Sequence, residues 1–156
     1  KDGTVTARNA SGINDGAAAV VLASEAAVKA KGLKPMAKII GWGHAGVEPS
    51  LMGVGPVKAV PIALKRAGLT LDQIDVIEAN EAFAAQACGV AQALGFDPAK
   101  VNPNGSGISL GHPVGATGVI ITVKAMYELE RSGGRYGLIT MCIGGGQGIA
   151  LVIERV

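Results

Sequence analysis

Short apolar runs of strand length alternate along this chain with segments of helical pattern, and glycine ends most of the helical segments. Glycine is common just past a helix end because it readily adopts the left-handed backbone that closes the last turn. The alternation is typical of an α/β domain in which helices cover a mixed β-sheet, and the last two strands form a hairpin. The pattern predicts strands at 16–24, 37–40, 75–78, 137–142 and 148–153, and helices at 25–31, 56–67, 82–94 and 119–132.

The composition is that of one folded domain. The chain has 156 residues, of which 49% are apolar, and its net charge is +2 without a block of like charges, which argues against nucleic acid or an anionic membrane as a partner. The longest uncharged apolar stretch, 136–153, contains four glycines at 144–148, so two buried strands fit it better than a membrane span. Two cysteines do not make a disulfide framework, and we expect a cytoplasmic protein.

Reactive side chains lie where three predicted strands or loops end. Asn80 and Glu81 follow one strand, His112 stands between a glycine and a proline before a helix, and Cys142 ends a strand just before three glycines. Sites of layered α/β proteins collect where strands end and loops begin. Glycines after Cys142 would expose backbone N–H groups, which are the parts of an oxyanion hole. Pro113 is a plausible first helical residue, and the positive helix end would then keep His112 neutral.

Each of these residues also has a purely structural interpretation. His112 can cap a helix, Cys142 can be a core cysteine, and Asn80 can be a turn residue before a helix. Cys88 lies within an uncharged helix that we expect to be buried on most sides, so it is interpreted as a core residue. A nucleotide site is disfavoured, since no glycine loop has the GxGxxG or GK[ST] spacing. The sequence has no zinc-type cluster of ligand residues, so a metal site is also disfavoured.

Three motifs occur in order and together resemble the thiolases, which condense or cleave acyl-coenzyme A esters. They are NEAF at 80–83, GHPVGATG at 111–118 and CIGGGQG at 142–148. The stretches NASGINDGAA at 9–18 and MGVGP at 52–56 are also similar to that family. Thr117 stands where many members have serine, and we do not expect this to alter the chemistry.

The resemblance implies that this chain is a fragment. Thiolases are about twice as long and have two similar α/β halves in a five-layered α-β-α-β-α fold, with the nucleophilic cysteine in the first half. The chain resembles the C-terminal half, with residues 1–33 ending the loop region and the N-terminal half, and 34–156 forming the C-terminal domain. Neither Cys88 nor Cys142 matches the nucleophile, so we expect the chain alone to be inactive.

Site roles follow from the resemblance, position by position. His112 resembles the histidine that takes the nucleophile's proton and helps to bind the thioester oxygen, and Asn80 the residue that holds a water in the same oxyanion hole. Cys142 resembles the general acid/base that adds or removes the α-proton, and Gly144 a backbone donor of a second oxyanion hole. We further expect backbone donors such as the Gly144 N–H to lower the pKa of the Cys142 thiol. Residues resembling the lining of the pantetheine channel are Ser11, Met52 and Phe83.

The resemblance also implies partners and leaves two alternatives. Acetyl-CoA or another acyl-CoA would be the substrate, with no separate cofactor and no metal. The N-terminal half and further copies in a dimer or tetramer would be partners, and fatty acid metabolism or supply of polyhydroxyalkanoate precursors the setting. A ketoacyl synthase shares the fold, but it would have histidine at Asn80 and lack Cys142. A non-catalytic folded fragment or assembly module is the other alternative.

Overall fold

A four-stranded mixed sheet organises residues 2–156, the part of the chain that the computed structural model describes. Its strands, in the spatial order β1-β4-β3-β2, are β1 Ala37–Gly46, β2 Val76–Ala79, β3 Tyr136–Ile143 and β4 Gln147–Arg155. β2 and β3 are parallel, whereas β4 pairs antiparallel with both β3 and β1. The predicted mixed sheet and terminal hairpin are therefore confirmed.

Four of the five helices begin and end close to the predicted positions, and the shortest helix was not predicted. They are α1 Glu25–Lys31, α2 Gly55–Ala67, α3 Ala84–Leu94, α4 Gly107–Leu110 and α5 Thr117–Ser132. Shorter 3-10 turns occupy Pro49–Val54, Leu71–Gln73 and Pro98–Lys100. Left-handed glycines close the four longer helices, as the sequence predicts; these are Gly32, Gly68, Gly95 and Gly133. α2 continues through Pro61, which costs it one backbone hydrogen bond.

Helices cover both faces of the sheet, and alternation along the strands shows which face each helix covers. Successive strand side chains point to opposite faces. Ile77, Leu138 and Val152 belong to the core that α2 and α3 close, whereas their neighbours Val76, Ile139 and Ile153 belong to the core under α5. The chain is thus a three-layered α/β unit, with the carboxyl ends of β2 and β3 free to carry a site.

Glycines in β1 let α2 approach the sheet at backbone distance. A Cβ atom on Gly43 would lie 2.2 Å from the carbonyl oxygen of Ala59, and one on Gly41 would lie 2.5 Å from that of Ala63. Neither oxygen can move without displacing the helix. Part of the high glycine content therefore serves the packing of α2 on β1.

We expect Gly43→Ala to destabilise the full-length protein by about 3 kcal/mol, because overpacking against backbone cannot be relieved by a side-chain rotation. The measurement is the urea midpoint followed by circular dichroism. Gly118→Ala is the control, since its added Cβ would meet only the Met141 sulfur at an ordinary 3.7 Å. Equal midpoints for the two variants would contradict the close packing of α2 on β1.

Two segments differ from their prediction. Residues 16–24, predicted as a strand, pair with no strand among residues 2–156, and Val21 and Leu22 are 92% and 77% exposed. α3 is not buried on most sides, because Val90 is its one buried residue and Cys88 is exposed. Both segments carry apolar surface that residues 2–156 do not cover. None of the helices in this part of the chain is both long and apolar enough to cross a membrane.

Candidate active site

Asn80 and Cys142 lie at the same edge of the sheet, because their strands run in parallel. β2 ends at Ala79, which is paired with Thr140 of β3, and the Asn80 N–H donates to the Thr140 carbonyl at 3.0 Å. Cys142 is two residues farther along β3. The structure therefore brings together two of the residues that the sequence places at strand ends.

His112 joins this edge from the loop between α4 and α5. Its Nε2 is 3.4 Å from the Asn80 amide nitrogen, and its Nδ1 is 2.7 Å from the Thr117 hydroxyl. The ring is half-buried, and desolvation lowers the pKa of His112 below its usual 6.5. The imidazole is thus neutral at physiological pH and able to accept a proton.

The sequence predicts a neutral His112 for a different reason. We expected Pro113 to begin the helix and the helix dipole to act on His112, but α5 begins at Thr117, five residues after the histidine. Pro113 instead accepts backbone hydrogen bonds from Ala116 and Thr117 in the turn before α5. Burial of the ring, and not the helix end, lowers the pKa of His112.

The N-terminal segment holds the histidine loop in place, which sequence reasoning missed. The Asn14 side chain accepts a hydrogen bond from the His112 N–H at 3.0 Å, and Ile13 forms a parallel bridge with His112. A Cβ atom on Gly16 would lie 2.6 Å from the Pro113 ring. The stretch 9–18 was noted for its resemblance, but nothing in its pattern indicates a contact 98 residues away.

A second asparagine supports the turn after β2. Asn102 has a positive φ of 48°, its side-chain oxygen accepts from the Ala79 N–H, and its amide donates to the Ala79 carbonyl at 2.8 Å. The same amide lies 3.3 Å from the Glu81 carboxylate, so Glu81 helps to order this turn.

The Asn80 side-chain oxygen is buried and has no hydrogen-bond partner among residues 2–156.

Cys142 is buried, with 7% of its surface exposed, and burial raises the pKa of its thiol above the usual value. The expected lowering by the Gly144 N–H is therefore wrong for the thiol in this structure. Gly144 is exposed at the start of the turn between β3 and β4, and Gly145 and Gly146 follow with positive φ. In the thiol form, Cys142 is suited to donate a proton.

The three residues assigned to the pantetheine channel are half-buried. Ser11 and Phe83 are close, since the Ser11 N–H donates to Ala82 at 2.9 Å and Ala10 forms a bridge with Phe83. Met52 lies in the 3-10 turn Pro49–Val54, whose Gly53 packs on Gln86 of α3. Ser11 and Phe83 are thus neighbours. The turn that contains Met52 packs against α3, the helix that follows Phe83.

A buried ion pair beneath the site was also missed. Glu78 is fully buried, and its carboxylate accepts from the Lys124 ammonium at 2.7 Å, while Lys124 also bonds the Gly105 carbonyl. Desolvation raises the pKa of Glu78, and Lys124 opposes that shift. The pair ties β2, α5 and the loop before α4 together. Residues 2–156 contain no group of three or more His, Cys, Asp or Glu residues placed to hold a metal ion.

Comparison with family models gives two matches that together span most of the chain. The model described as "Thiolase, C-terminal domain" matches residues 33–155, and "Thiolase, N-terminal domain" matches residues 1–26.

Similar proteins are all much longer than this chain. Beta-ketothiolase BktB of Cupriavidus necator is 67% identical over 156 residues, which are all of this chain and 40% of that protein. An acetyl-CoA acetyltransferase of Chromobacterium violaceum is 57% identical over 99% of this chain and 40% of its own length. The crystal structure of human mitochondrial 3-ketoacyl-CoA thiolase is 52% identical with a TM-score of 0.98, again over the whole chain and 40% of that structure. A further structure of the human enzyme, titled as a complex with CoA, gives the same values. The chain thus spans about 40% of the length of these relatives.

Proposed function

This chain belongs to the thiolase family, and we propose that it supplies the C-terminal part of the active site of an acyl-CoA C-acyltransferase. The observation that carries the proposal is the meeting of the NEAF and GHP motifs, with His112 Nε2 3.4 Å from the Asn80 amide, at the strand edge where Cys142 lies. The names of the relatives, β-ketothiolase and acetyl-CoA acetyltransferase, support the same activity.

The proposed reaction transfers an acyl group between the C2 carbon of acetyl-CoA and a thiol. In thiolysis, the bond between C2 and C3 of a 3-ketoacyl-CoA breaks, the acyl group passes through a cysteine to a second CoA thiol, and C2 takes up a proton to give acetyl-CoA. In condensation, acetyl-CoA loses an α-proton and attacks an acyl-enzyme. Coenzyme A is part of the substrate in both directions, so no separate cofactor and no metal are needed.

His112 would activate the nucleophile. A neutral imidazole accepts the thiol proton, and the lowered pKa of His112 keeps the ring in that form. Once protonated, it would donate to the thioester oxygen, beside a water held by Asn80. Half-burial strengthens these interactions, because water competes less with them than at an exposed site.

Cys142 would add or remove the proton at C2. The raised pKa of its thiol favours the protonated form, which suits proton donation in thiolysis. The Gly144 N–H, at the start of a turn that exposes its backbone, would stabilise the developing enolate oxygen. Ser11, Met52 and Phe83 would line the channel for the pantetheine arm.

The rest of the enzyme would complete this site. The acyl-carrying cysteine would come from the N-terminal half, to which residues 1–33 would also belong, with 34–156 as the C-terminal domain. Exposed Val21 and Leu22 support a partner surface for that half. We further propose a homodimer or homotetramer in the cytoplasm, acting in fatty acid metabolism or in supplying polyhydroxyalkanoate precursors.

The proposal is tested by comparing the full-length protein with residues 1–156 alone. We expect the full-length protein to cleave acetoacetyl-CoA in the presence of CoA, with two acetyl-CoA formed for each molecule consumed. Residues 1–156 should show neither turnover nor an acetylated cysteine by mass spectrometry, because the nucleophile is absent. An inactive full-length protein would overturn the proposed function, and turnover by the short chain would overturn the division of roles between the two halves.

A further inference from the structure

Thr117 connects the catalytic loop to the first turn of α5 through its hydroxyl group. We propose that Thr117 is a positioning residue, which holds the ring proton of His112 on Nδ1 and so leaves Nε2 as the ring nitrogen that can accept a proton. The inference deepens the proposed function and rests on it for the role of Nε2. Thr117 is the residue that stands where many thiolases have serine, a difference that the sequence analysis does not expect to alter the chemistry.

The hydroxyl of Thr117 has one proton, and a backbone carbonyl, which can only accept, lies within reach of it. Oγ1 donates to the Pro113 carbonyl at 2.9 Å, one turn back along the chain. The same Oγ1 is 2.7 Å from His112 Nδ1. A hydroxyl that has already donated its proton can only accept from a further partner. The short contact with His112 is therefore an Nδ1–H to oxygen hydrogen bond.

The other side of the ring agrees with this assignment. Nε2 faces the Asn80 amide nitrogen at 3.4 Å, and an amide nitrogen is a donor only. A neutral imidazole has one N–H, so a ring that accepts at Nε2 must carry its proton on Nδ1. The Asn80 contact is long, so the 2.7 Å contact with Thr117 is the stronger of the two that favour this tautomer.

Thr117 is well suited to hold this geometry. It is 2% exposed, and its backbone N–H also donates to the Pro113 carbonyl at 2.9 Å, so both ends of the residue are fixed to the same oxygen. A β-branched side chain has fewer χ1 rotamers than serine, which further restricts the hydroxyl. The backbone of His112 is held separately by Asn14. The ring is therefore fixed from both sides before a substrate arrives.

The direct test is the tautomer of His112 in the full-length protein. With ¹⁵N-labelled histidine, long-range ¹H–¹⁵N NMR distinguishes protonated from unprotonated ring nitrogens, and a His112→Asn sample identifies the signals. At a pH where the ring is neutral, we expect Nδ1 protonated and Nε2 unprotonated in the unaltered protein and in Thr117→Ser. In Thr117→Val, which keeps the shape and loses the hydroxyl, the proton should move partly or wholly to Nε2. An Nε2-protonated ring in the unaltered protein, or unchanged signals in Thr117→Val, would overturn the inference.

Kinetics give a second readout. We expect kcat for thiolysis of acetoacetyl-CoA to fall about 10–100-fold in Thr117→Val, within the roughly 10²–10⁴-fold that a positioned base supplies. KM should change little, and Thr117→Ser should restore most of the rate. Equal rates for the valine and serine variants would overturn the inference. An inactive unaltered protein would instead overturn the proposed function, while its NMR spectra, assigned with the His112→Asn sample, would still decide the tautomer.

Discussion

Replacing His112 with asparagine in the full-length protein should slow formation of the acyl-enzyme by about 10²–10⁴-fold, the usual contribution of a general base. The structure supports this role through the neutral, half-buried ring and its contacts with Asn80 and Thr117. The measurement is the rate at which radiolabelled acetyl-CoA loads the protein, followed after acid quenching. Burial lowers the pKa of His112, so loading should persist at pH values below 6.5 and fall only at a more acidic pH, where the ring takes up a proton.

The second histidine of the chain provides a matched control. His44 lies exposed on β1, where its Nε2 is 2.9 Å from the Gln147 side chain. His44→Asn should load acetyl groups at the unaltered rate and with the same acid limb. Loading of His112→Asn at the rate of His44→Asn would refute the base assignment and return His112 to a structural role in its loop.

Helix ends were predictable because their causes are local. Gly68 and Gly95 close α2 and α3 with a left-handed backbone, which depends on one residue and its own helix. The mixed sheet was predictable for the same reason, since strand length and alternation are properties of each segment. Segment 16–24 shows the limit. Its apolar character is visible in the sequence, but a strand requires a neighbour, and residues 2–156 provide none.

The supporting contacts of the site were not predictable, because they join distant positions through single side chains. The Asn14 bond to His112 spans 98 residues, and the Asn102 bonds to Ala79 span 23. An asparagine in a glycine-rich loop has no pattern that identifies its partner. The candidate site residues lie in short motifs, so His112 and Cys142 could be proposed from the sequence, whereas the side chains that hold them in place could not.

Burial also explains why the pKa of Cys142 was misjudged. The glycines after Cys142 suggested backbone donors that would stabilise a thiolate, but the structure buries the sulfur, and desolvation is the larger effect. The raised pKa of Cys142 therefore affects thiolysis and condensation differently. A protonated thiol already has the proton that C2 takes up in thiolysis, whereas condensation first requires the thiolate. We therefore expect proton abstraction from acetyl-CoA to become faster as the pH rises toward the raised pKa of the Cys142 thiol.

Replacing Cys142 with alanine tests this role in the full-length protein. Exchange of the acetyl-CoA methyl protons with deuterium, together with condensation, should fall by about 10²–10⁴-fold, since the variant lacks the thiol that abstracts the α-proton. Acetyl loading should remain largely intact, because the nucleophile and His112 are unchanged. Cys88→Ala is the matched control, as Cys88 is exposed on α3 and has no role in the proposed reaction, and its loss should leave both rates unaltered. If Cys142→Ala exchanged deuterium at the rate of the Cys88 control, Cys142 would be a core cysteine and another group would have to supply the base.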